Sequence, residues 1–171
     1  DIPVMHDDEH GTAVVVLAGL INALSVRGGK KEDVKVVLSG AGAAGTAIAE
    51  LLLYYGFKNL IVLDSQGALS QGRSDLNEEK QKLRAKTNPH DEQGNLTTVI
   101  ARADIFIGVS KPGLPTQAMV RSMASKPIIF ALANPVPEIL PNEAHGAGAF
   151  VVATGRSDFP NQVNNVLGFP G

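Results

Sequence analysis

A glycine-rich stretch between a predicted strand and a predicted helix is the feature that most constrains the fold of this chain. Residues 35–39 (KVVLS) have the β-branched composition of a short buried strand. The next six residues are Gly40, Ala41, Gly42, Ala43, Ala44 and Gly45. Apolar residues then recur at helical spacing over residues 43–55, and Gly56 is a typical helix terminator. In this order the first glycine permits a tight turn, the second lets backbone approach a pyrophosphate, and the third allows close helix–strand packing. The spacing therefore predicts a dinucleotide-binding turn at residues 40–45.

An acidic residue closes the next predicted strand, residues 60–63, and bears on the choice of dinucleotide. Asp64 stands where a carboxylate can accept hydrogen bonds from the ribose hydroxyls of NAD, and it would repel the 2′-phosphate of NADP. Ser65 beside it carries no charge, and the nearest arginine in the sequence is Arg73. The sequence thus favours NAD, with NADP possible. The plainer alternative is a solvated loop carboxylate.

Short β-rich runs alternate with helical stretches along the rest of the chain. We expect further strands at 105–109, 128–131 and 150–153, and helices at 12–24, 74–86, 96–102 and 116–124. The first of these helices is apolar nearly all round, which predicts a buried helix, although its three consecutive valines would also suit a strand. The alternation predicts one α/β domain over residues 1–171, with a Rossmann-type doubly wound, mostly parallel sheet covered by helices on both faces.

Composition excludes several classes of function. Fifteen Lys and Arg residues against 17 Asp and Glu residues leave a formal charge of −2, so nothing favours a nucleic-acid or an anionic-membrane partner. The absence of cysteine excludes disulfides, zinc–thiolate sites and thiol catalysis. Uninterrupted apolar runs are too short for a membrane span, and no secretory signal opens the chain, so we expect a cytoplasmic protein. Because the first residue is Asp1 rather than Met, we expect a piece of a longer chain.

An unusual concentration of polar ligands precedes the first predicted helix. Asp7 and Asp8 are adjacent and are flanked by His6 and His10. Carboxylate oxygens suit Mg²⁺ or Mn²⁺. The spacing of the two histidines invites a zinc interpretation, but the rest of the H-E-x-x-H pattern is missing. The alternative is structural: Asp8 or Thr12 caps the helix and the acids lie in solvent.

Asparagines follow the last two predicted strands. Asn134 comes after residues 128–131, and Asn161, Asn164 and Asn165 come after residues 150–153. Ligands of open α/β sheets bind at the carboxyl ends of the strands, so these amides are candidate substrate contacts. Turn formation, which asparagine favours without any ligand, explains them equally well.

Together these motifs resemble the NAD-binding domain of malic enzymes, specifically the compact bacterial type. The residues that carry the resemblance are 2–13 (IPVMHDDEHGTA), 40–45, 108–110 (GVS), 133–135 (ANP) and 154–158 (TGRSD). It extends from one end of the chain to the other. It implies oxidative decarboxylation of malate to pyruvate and CO₂ with NAD(P) and a divalent metal, Mg²⁺ or Mn²⁺.

The resemblance also implies roles for individual residues. Asp8 would be a metal ligand with Asp7 as a supporting carboxylate, and Asn134 and Asn164 would hold the substrate. The cofactor would contact Gly40, Ala41, Gly42, Ala43, Ala44, Gly45, Asp64, Ser65, Val109, Ser110 and Asn134.

The family's general-base lysine, general-acid tyrosine and a Glu-Asp pair of metal ligands belong to a preceding N-terminal domain. We expect that domain to lie outside residues 1–171. No catalytic role is predicted for Lys111, Tyr54 or Tyr55. We therefore expect this chain to be the dinucleotide-binding half of a homodimeric enzyme and to be inactive alone.

Two alternatives remain open at this stage. Other two-domain dehydrogenases, such as amino-acid dehydrogenases or folate-type methylene dehydrogenases, share the glycine loop but would not be expected to carry the H-D-D-x-H-G-T opening. The second alternative is an NAD-binding module that performs no chemistry.

Overall fold

Six strands form one sheet whose order places a ligand crevice at its centre. A computed structural model describes Ile2 and residues 6–169; Pro3, Val4 and Met5 of the opening motif lie outside the described residues. The strands are β1 (Lys35–Ser39), β2 (Asn59–Asp64), β3 (Gly67–Ala68), β4 (Ile105–Gly108), β5 (Ile128–Ala131) and β6 (Val151–Thr154), in the spatial order β3-β2-β1-β4-β5-β6. All neighbours pair in parallel except β2 and β3. The direction of strand addition reverses between β1 and β4, where ligands of doubly wound folds bind. The predicted Rossmann-type fold is confirmed.

Six helices and two single turns connect and cover the strands. The helices are α1 (Thr12–Arg27), α2 (Ala43–Tyr55), α3 (Glu78–Arg84), α4 (Leu96–Val99), α5 (Gln117–Ser122) and α6 (Pro141–Gly146). A π-helical turn, Asp7–Gly11, leads into α1, and a 3₁₀ turn, Asn165–Leu167, follows β6. Helix α2 ends as predicted: Gly56 has φ 110°, and its N–H donates to the carbonyls of Leu52 and Leu53.

The core has two layers because successive strand residues face opposite sides of the sheet. Val36 and Leu38 of β1 pack in the layer that contains α1 and α2. Val37, between them, packs in the layer that contains residues of α4, α5 and α6. Phe130 and Ile129 of β5 divide in the same way. Both faces of the strands are buried, as the nearly continuous apolar runs predict.

Several elements differ from the predictions. Helix α3 begins at Glu78 rather than residue 74, because the Asn77 side chain accepts a hydrogen bond from the Lys80 N–H and so caps the helix there. Strand β3, helix α6 and the 3₁₀ turn were not predicted. The predicted burial of the helix at residues 12–24 is only partial, because Val14 and Ile21 are 55% and 39% exposed.

Helix α1 and the turn before it form one continuous helical stretch, Asp7–Arg27. By length and composition alone, this stretch is long and apolar enough to cross a membrane. This is weak evidence for a span, because core helices pass the same test. Buried residues of α1, including Val16 and Leu20, pack in the sheet layer shared with α2. The expectation of no membrane partner stays a prediction.

Candidate dinucleotide and substrate site

Two glycines of the loop between β1 and α2 are required by contacts within the fold. Gly40 has φ 127°, a conformation that side-chain-bearing residues rarely adopt, and its N–H donates to the Leu63 carbonyl over 2.9 Å. A Cβ atom at Gly40 would lie 2.9 Å from the Val109 carbonyl oxygen, and one at Gly45 would overlap the Gly40 carbonyl oxygen. The tight turn and the close helix–strand contact expected of these positions are thus present.

Gly42 differs from them because nothing in the fold requires it to be glycine. Its φ of −88° and ψ of −169° are ordinary extended values, and no atom would lie within 4 Å of a Cβ there. It is the N-cap residue of α2, and no side chain caps that helix end. The first N–H groups of α2 have no acceptor within the helix and no side-chain cap, so a phosphate bound here can accept hydrogen bonds from them.

A cavity of about 630 Å³ lies beside this loop at the carboxyl ends of β1 and β2. Its lining includes Gly40, Ala41, Gly42, Asp64, Ser65, Lys80 and Ser110. Six predicted cofactor residues thus line one space. Ala43 lies elsewhere, beside a smaller cavity that is also lined by Glu9 and His10.

Asp64 is held by two cations, which corrects the expectation that no neighbouring cation offsets its repulsion of a 2′-phosphate. Lys80 Nζ lies 2.7 Å from Asp64 Oδ2, and Arg73 Nη1 lies 3.1 Å from Oδ1. Burial alone would raise the pKa of Asp64, but the hydrogen bonds from Arg73 and Lys80 outweigh it and lower that pKa to about 2. Asp64 is therefore an ionised carboxylate whose charge is offset by Arg73 and Lys80, although Arg73 also pairs with Asp75.

A second cavity, of about 220 Å³, lies at the carboxyl ends of β4, β5 and β6. It is lined by Thr12, Ala44, Val109, Ser110, Leu132, Ala133, Asn134, Gly155, Val163, Asn164 and Asn165. The predicted substrate residues Asn134 and Asn164 therefore line one space with Val109, Ser110 and Ala44. Ser110 also lines the first cavity, so the two adjoin at the point where the strand order reverses.

The two aspartates of the opening motif are connected to this second cavity by Asn165. The Asn165 amide nitrogen lies 2.5 Å from Asp7 Oδ2 and 3.2 Å from Asp8 Oδ1, and donates to both. Asn164 instead accepts a hydrogen bond from the Val166 N–H and so caps the 3₁₀ turn. The sequence placed Asn165 among the candidate substrate contacts but did not reveal its hydrogen bonds to the two aspartates, because its partners lie more than 150 residues away in the chain.

The capping and zinc alternatives for the opening motif find no support in the contacts. No side chain caps the π-helical turn or α1. The His10 ring nitrogen Nδ1 lies near the main chain of His6 rather than its ring. Within the described residues no three His, Asp or Glu side chains converge to hold a metal ion. Asp7 and Asp8 can therefore furnish only part of the six oxygen ligands that Mg²⁺ requires.

Two further residues tie the loops around the second cavity together. Arg156, in the TGRSD motif, donates to the Pro135 carbonyl over 3.1 Å and pairs with Asp158 at 2.7 Å, so it joins the loops after β5 and β6. Glu138 is 2% exposed and accepts hydrogen bonds from the loops after β4 and β5. Sequence reasoning missed Glu138, although a lone acid between Pro137 and Ile139 is a signal of a buried charge.

Comparison with known proteins agrees with this geometry. Residues 10–171 match the family model described as "Malic enzyme, NAD binding domain". The chain is 56% identical over 172 aligned residues to a bifunctional malic/malolactic enzyme of Bacillus subtilis (strain 168), covering 100% of this chain and 42% of that protein. It is 47% identical over 173 residues to an NADP-dependent malic enzyme of Halomonas elongata, covering 99% and 40%.

A solved structure gives the same result in three dimensions. The NAD-dependent malic enzyme of Thermotoga maritima superposes with a TM-score of 0.96 at 52% identity, covering 99% of this chain and 46% of that one. The chain thus spans less than half the length of each of these relatives. From the family match over residues 10–171, the chain belongs to the malic enzyme family as its NAD-binding domain.

Proposed function

We propose that this chain is the dinucleotide-binding half of an enzyme that oxidatively decarboxylates malate to pyruvate and CO₂ with NAD(P) and a divalent metal. The observation that carries the proposal is the pair of adjoining cavities at the carboxyl edge of the sheet. One is lined by the glycine loop and Asp64, and the other by Asn134 and Asn164. Membership of the malic enzyme family favours this reaction over those of other two-domain dehydrogenases, which share the fold alone.

The proposed path of the cofactor follows the strand order. Asp64 lies at the end of β2, where the adenosine ribose would bind, and the uncapped amino end of α2 would receive the pyrophosphate. The nicotinamide would then extend over β4 toward Val109, Ser110 and Asn134, beside the second cavity. Malate would bind in that cavity, where the amides of Asn134 and Asn164 can hydrogen-bond its carboxylates.

The reaction divides into two steps. In the first step malate would lose a hydride from C2 to the bound dinucleotide and a proton from its C2 hydroxyl, which would give oxaloacetate. Loss of CO₂ then breaks the C3–C4 bond, the released electron pair forms an enolate, and protonation at C3 gives pyruvate. This chain would hold the nicotinamide and the malate in register for the first step. We expect the proton-transferring lysine and tyrosine to come from a part of the protein outside residues 1–171.

We propose that this chain supplies only part of the metal site. Asp8 would be the ligand from this chain, and Asp7 would support it, with Asn165 fixing the pair through its two hydrogen bonds. A bound Mg²⁺ or Mn²⁺ supplies positive charge that stabilises the developing enolate. Since no third carboxylate or imidazole converges there among the described residues, the remaining ligands would come from the preceding domain. The homodimer implied by the resemblance and the cytoplasmic location expected from the sequence both stay predictions.

The proposal is tested by assaying the full-length protein and residues 1–171 side by side. We expect malate-dependent NADH formation, with pyruvate and CO₂ as products, only in the full-length protein and only with Mn²⁺ or Mg²⁺. If the full-length protein binds NAD but does not oxidise malate, the result supports the alternative of an NAD-binding module that performs no chemistry. Residues 1–171 that decarboxylate malate alone would contradict the two-domain proposal.

Replacement of Lys80 by methionine is expected to change the choice between NAD and NADP. Lys80 offsets the negative charge of Asp64, so its ammonium reduces the repulsion that a 2′-phosphate would meet. Its loss should weaken NADP binding about tenfold more than NAD binding, the usual size of one charge-assisted contact. Calorimetric titration of the variant with both dinucleotides measures this ratio.

The matched control lies two residues along the same helix. Lys82 is 69% exposed, pairs with Glu78 across one turn and does not line the dinucleotide cavity. Lys82→Met should therefore leave both affinities within about twofold of the parent. An unchanged ratio of NAD to NADP affinity in Lys80→Met would remove Lys80 from cofactor selection.

A further inference from the structure

Glu138 is a buried carboxylate whose two oxygens are used by two different loops. Its Oε1 accepts the Ser110 N–H over 3.0 Å, and its Oε2 accepts the Ala133 N–H over 2.8 Å. Burial raises the pKa of this carboxyl group, and among the described residues no lysine or arginine pairs with it. Burying a carboxylate without a cationic partner is costly, and only hydrogen bonds such as these can offset the cost.

The surrounding backbone is shaped to admit this carboxylate. A Cβ atom at Gly108, the last residue of β4, would overlap the carboxyl group of Glu138. The Glu138 main-chain carbonyl also accepts the Gly113 N–H over 3.0 Å. The loop after β4 is therefore held at both Ser110 and Gly113 by one residue that comes from the segment after β5.

The two loops that Glu138 joins both line the second cavity. Ser110 comes from the loop after β4, and Ala133 and Asn134 come from the loop after β5, while Glu138 does not line the cavity itself. Ser110 and Asn134 are exposed, as residues that contact a ligand must be. The carboxylate thus links two loops that line the cavity without lining it itself.

We propose that Glu138 is a positioning residue for the nicotinamide half of the dinucleotide: it holds the Ser110 loop and the Asn134 loop at the spacing that admits the nicotinamide and the substrate between them. The inference rests on the proposed function, in which the adenosine half binds at Asp64 and the nicotinamide half binds at this cavity. Glu138 therefore acts on one half of the ligand. A residue that merely stabilised the fold would affect both halves alike.

The test compares two ligands on the full-length protein. NAD reaches both cavities, whereas AMP carries only the adenosine half and reaches only the first. In Glu138→Gln one amide NH₂ group must face a backbone N–H donor, so one of the two loop contacts is lost. We expect the dissociation constant for NAD to rise about tenfold or more, and that for AMP to change less than about twofold. Glu138→Asp keeps the charge on a shorter arm, so it should recover part of the NAD affinity.

Asp104 supplies the matched control at the opposite edge of the sheet. Its carboxylate also joins two segments, because it accepts the Lys35 N–H over 2.8 Å and pairs with Arg27. Asp104→Asn should lower the unfolding temperature without distinguishing NAD from AMP. Glu138→Gln overturns the inference if it weakens both ligands in parallel or neither of them. If Glu138→Gln does not fold, Glu138→Asp is tested in the same way. A loss of NAD affinity alone supports the inference, and an equal loss of NAD and AMP affinity overturns it. Wild-type protein that binds neither ligand would instead overturn the proposed function.

Discussion

Replacement of Gly42 by valine is expected to weaken NAD binding by about a hundredfold or more while the chain still folds. The side chain would enter open space at the amino end of α2, where no protein atom lies within 4 Å of a Cβ atom. That space is where the helix would present its free N–H groups to the pyrophosphate. The backbone angles of Gly42 suit valine, so the expected cost to folding is only the poorer helix cap, about 1 kcal/mol.

Gly146 provides the control for this substitution. It ends α6, has no atom within 4 Å of a Cβ atom, and lines neither the dinucleotide cavity nor the second cavity. Gly146→Val adds the same side chain at an equally open position and should leave the NAD affinity unchanged. Calorimetry and thermal unfolding of both variants separate binding from folding. A folded Gly42→Val protein that binds NAD as the parent does would show that the glycine loop does not hold the cofactor.

The parts of the fold that could be predicted from sequence are those that local residues determine. Strand β1 and helix α2 have the predicted bounds because the apolar run, the glycines and the terminating Gly56 lie next to each other in the chain. Strand β3 could not be found, since two residues pairing antiparallel with β2 leave no periodicity. The exposure of Val14 and Ile21 on α1 was also missed, because composition does not reveal which side of an apolar helix faces the sheet.

In the candidate site, too, the residues that local sequence marks were predicted and the contacts between distant segments were not. Part of the lining of the two cavities was predicted, including Gly40, Asp64 and Asn134, because glycine loops, strand ends and asparagines are visible in the sequence. The surroundings of Asp64 were not, because Arg73 comes from a later loop and Lys80 from α3, and only folding brings them to the carboxylate. Glu138 follows the same rule: its partners Ser110 and Ala133 lie on two loops that the sheet brings together.

Asp8→Asn in the full-length protein is expected to lower malate turnover by about a hundredfold and to weaken Mn²⁺ binding with it. The substitution keeps the shape of the side chain but removes its charge, and with it the one metal ligand proposed from this chain. NAD binding should be largely retained, because Asp8 does not line the dinucleotide cavity. The measurement is the dependence of turnover on Mn²⁺ concentration in the parent and the variant.

Glu9 provides the neighbouring control, because its replacement by glutamine changes the charge as Asp8→Asn does without removing the proposed ligand. Glu9→Gln removes the same unit of negative charge one residue away, where the side chain has no contact with Asn165 and faces a different cavity. If only the local negative potential mattered, both variants would raise the Mn²⁺ concentration needed for turnover alike, because each removes one unit of negative charge from the same turn. If Asp8 binds the ion directly, Asp8→Asn should lose turnover at low Mn²⁺ while Glu9→Gln behaves like the parent. Near-normal turnover of Asp8→Asn at low Mn²⁺ would show that Asp8 is not a ligand, and Asp7, held by the same Asn165 amide, would then be the carboxylate to test.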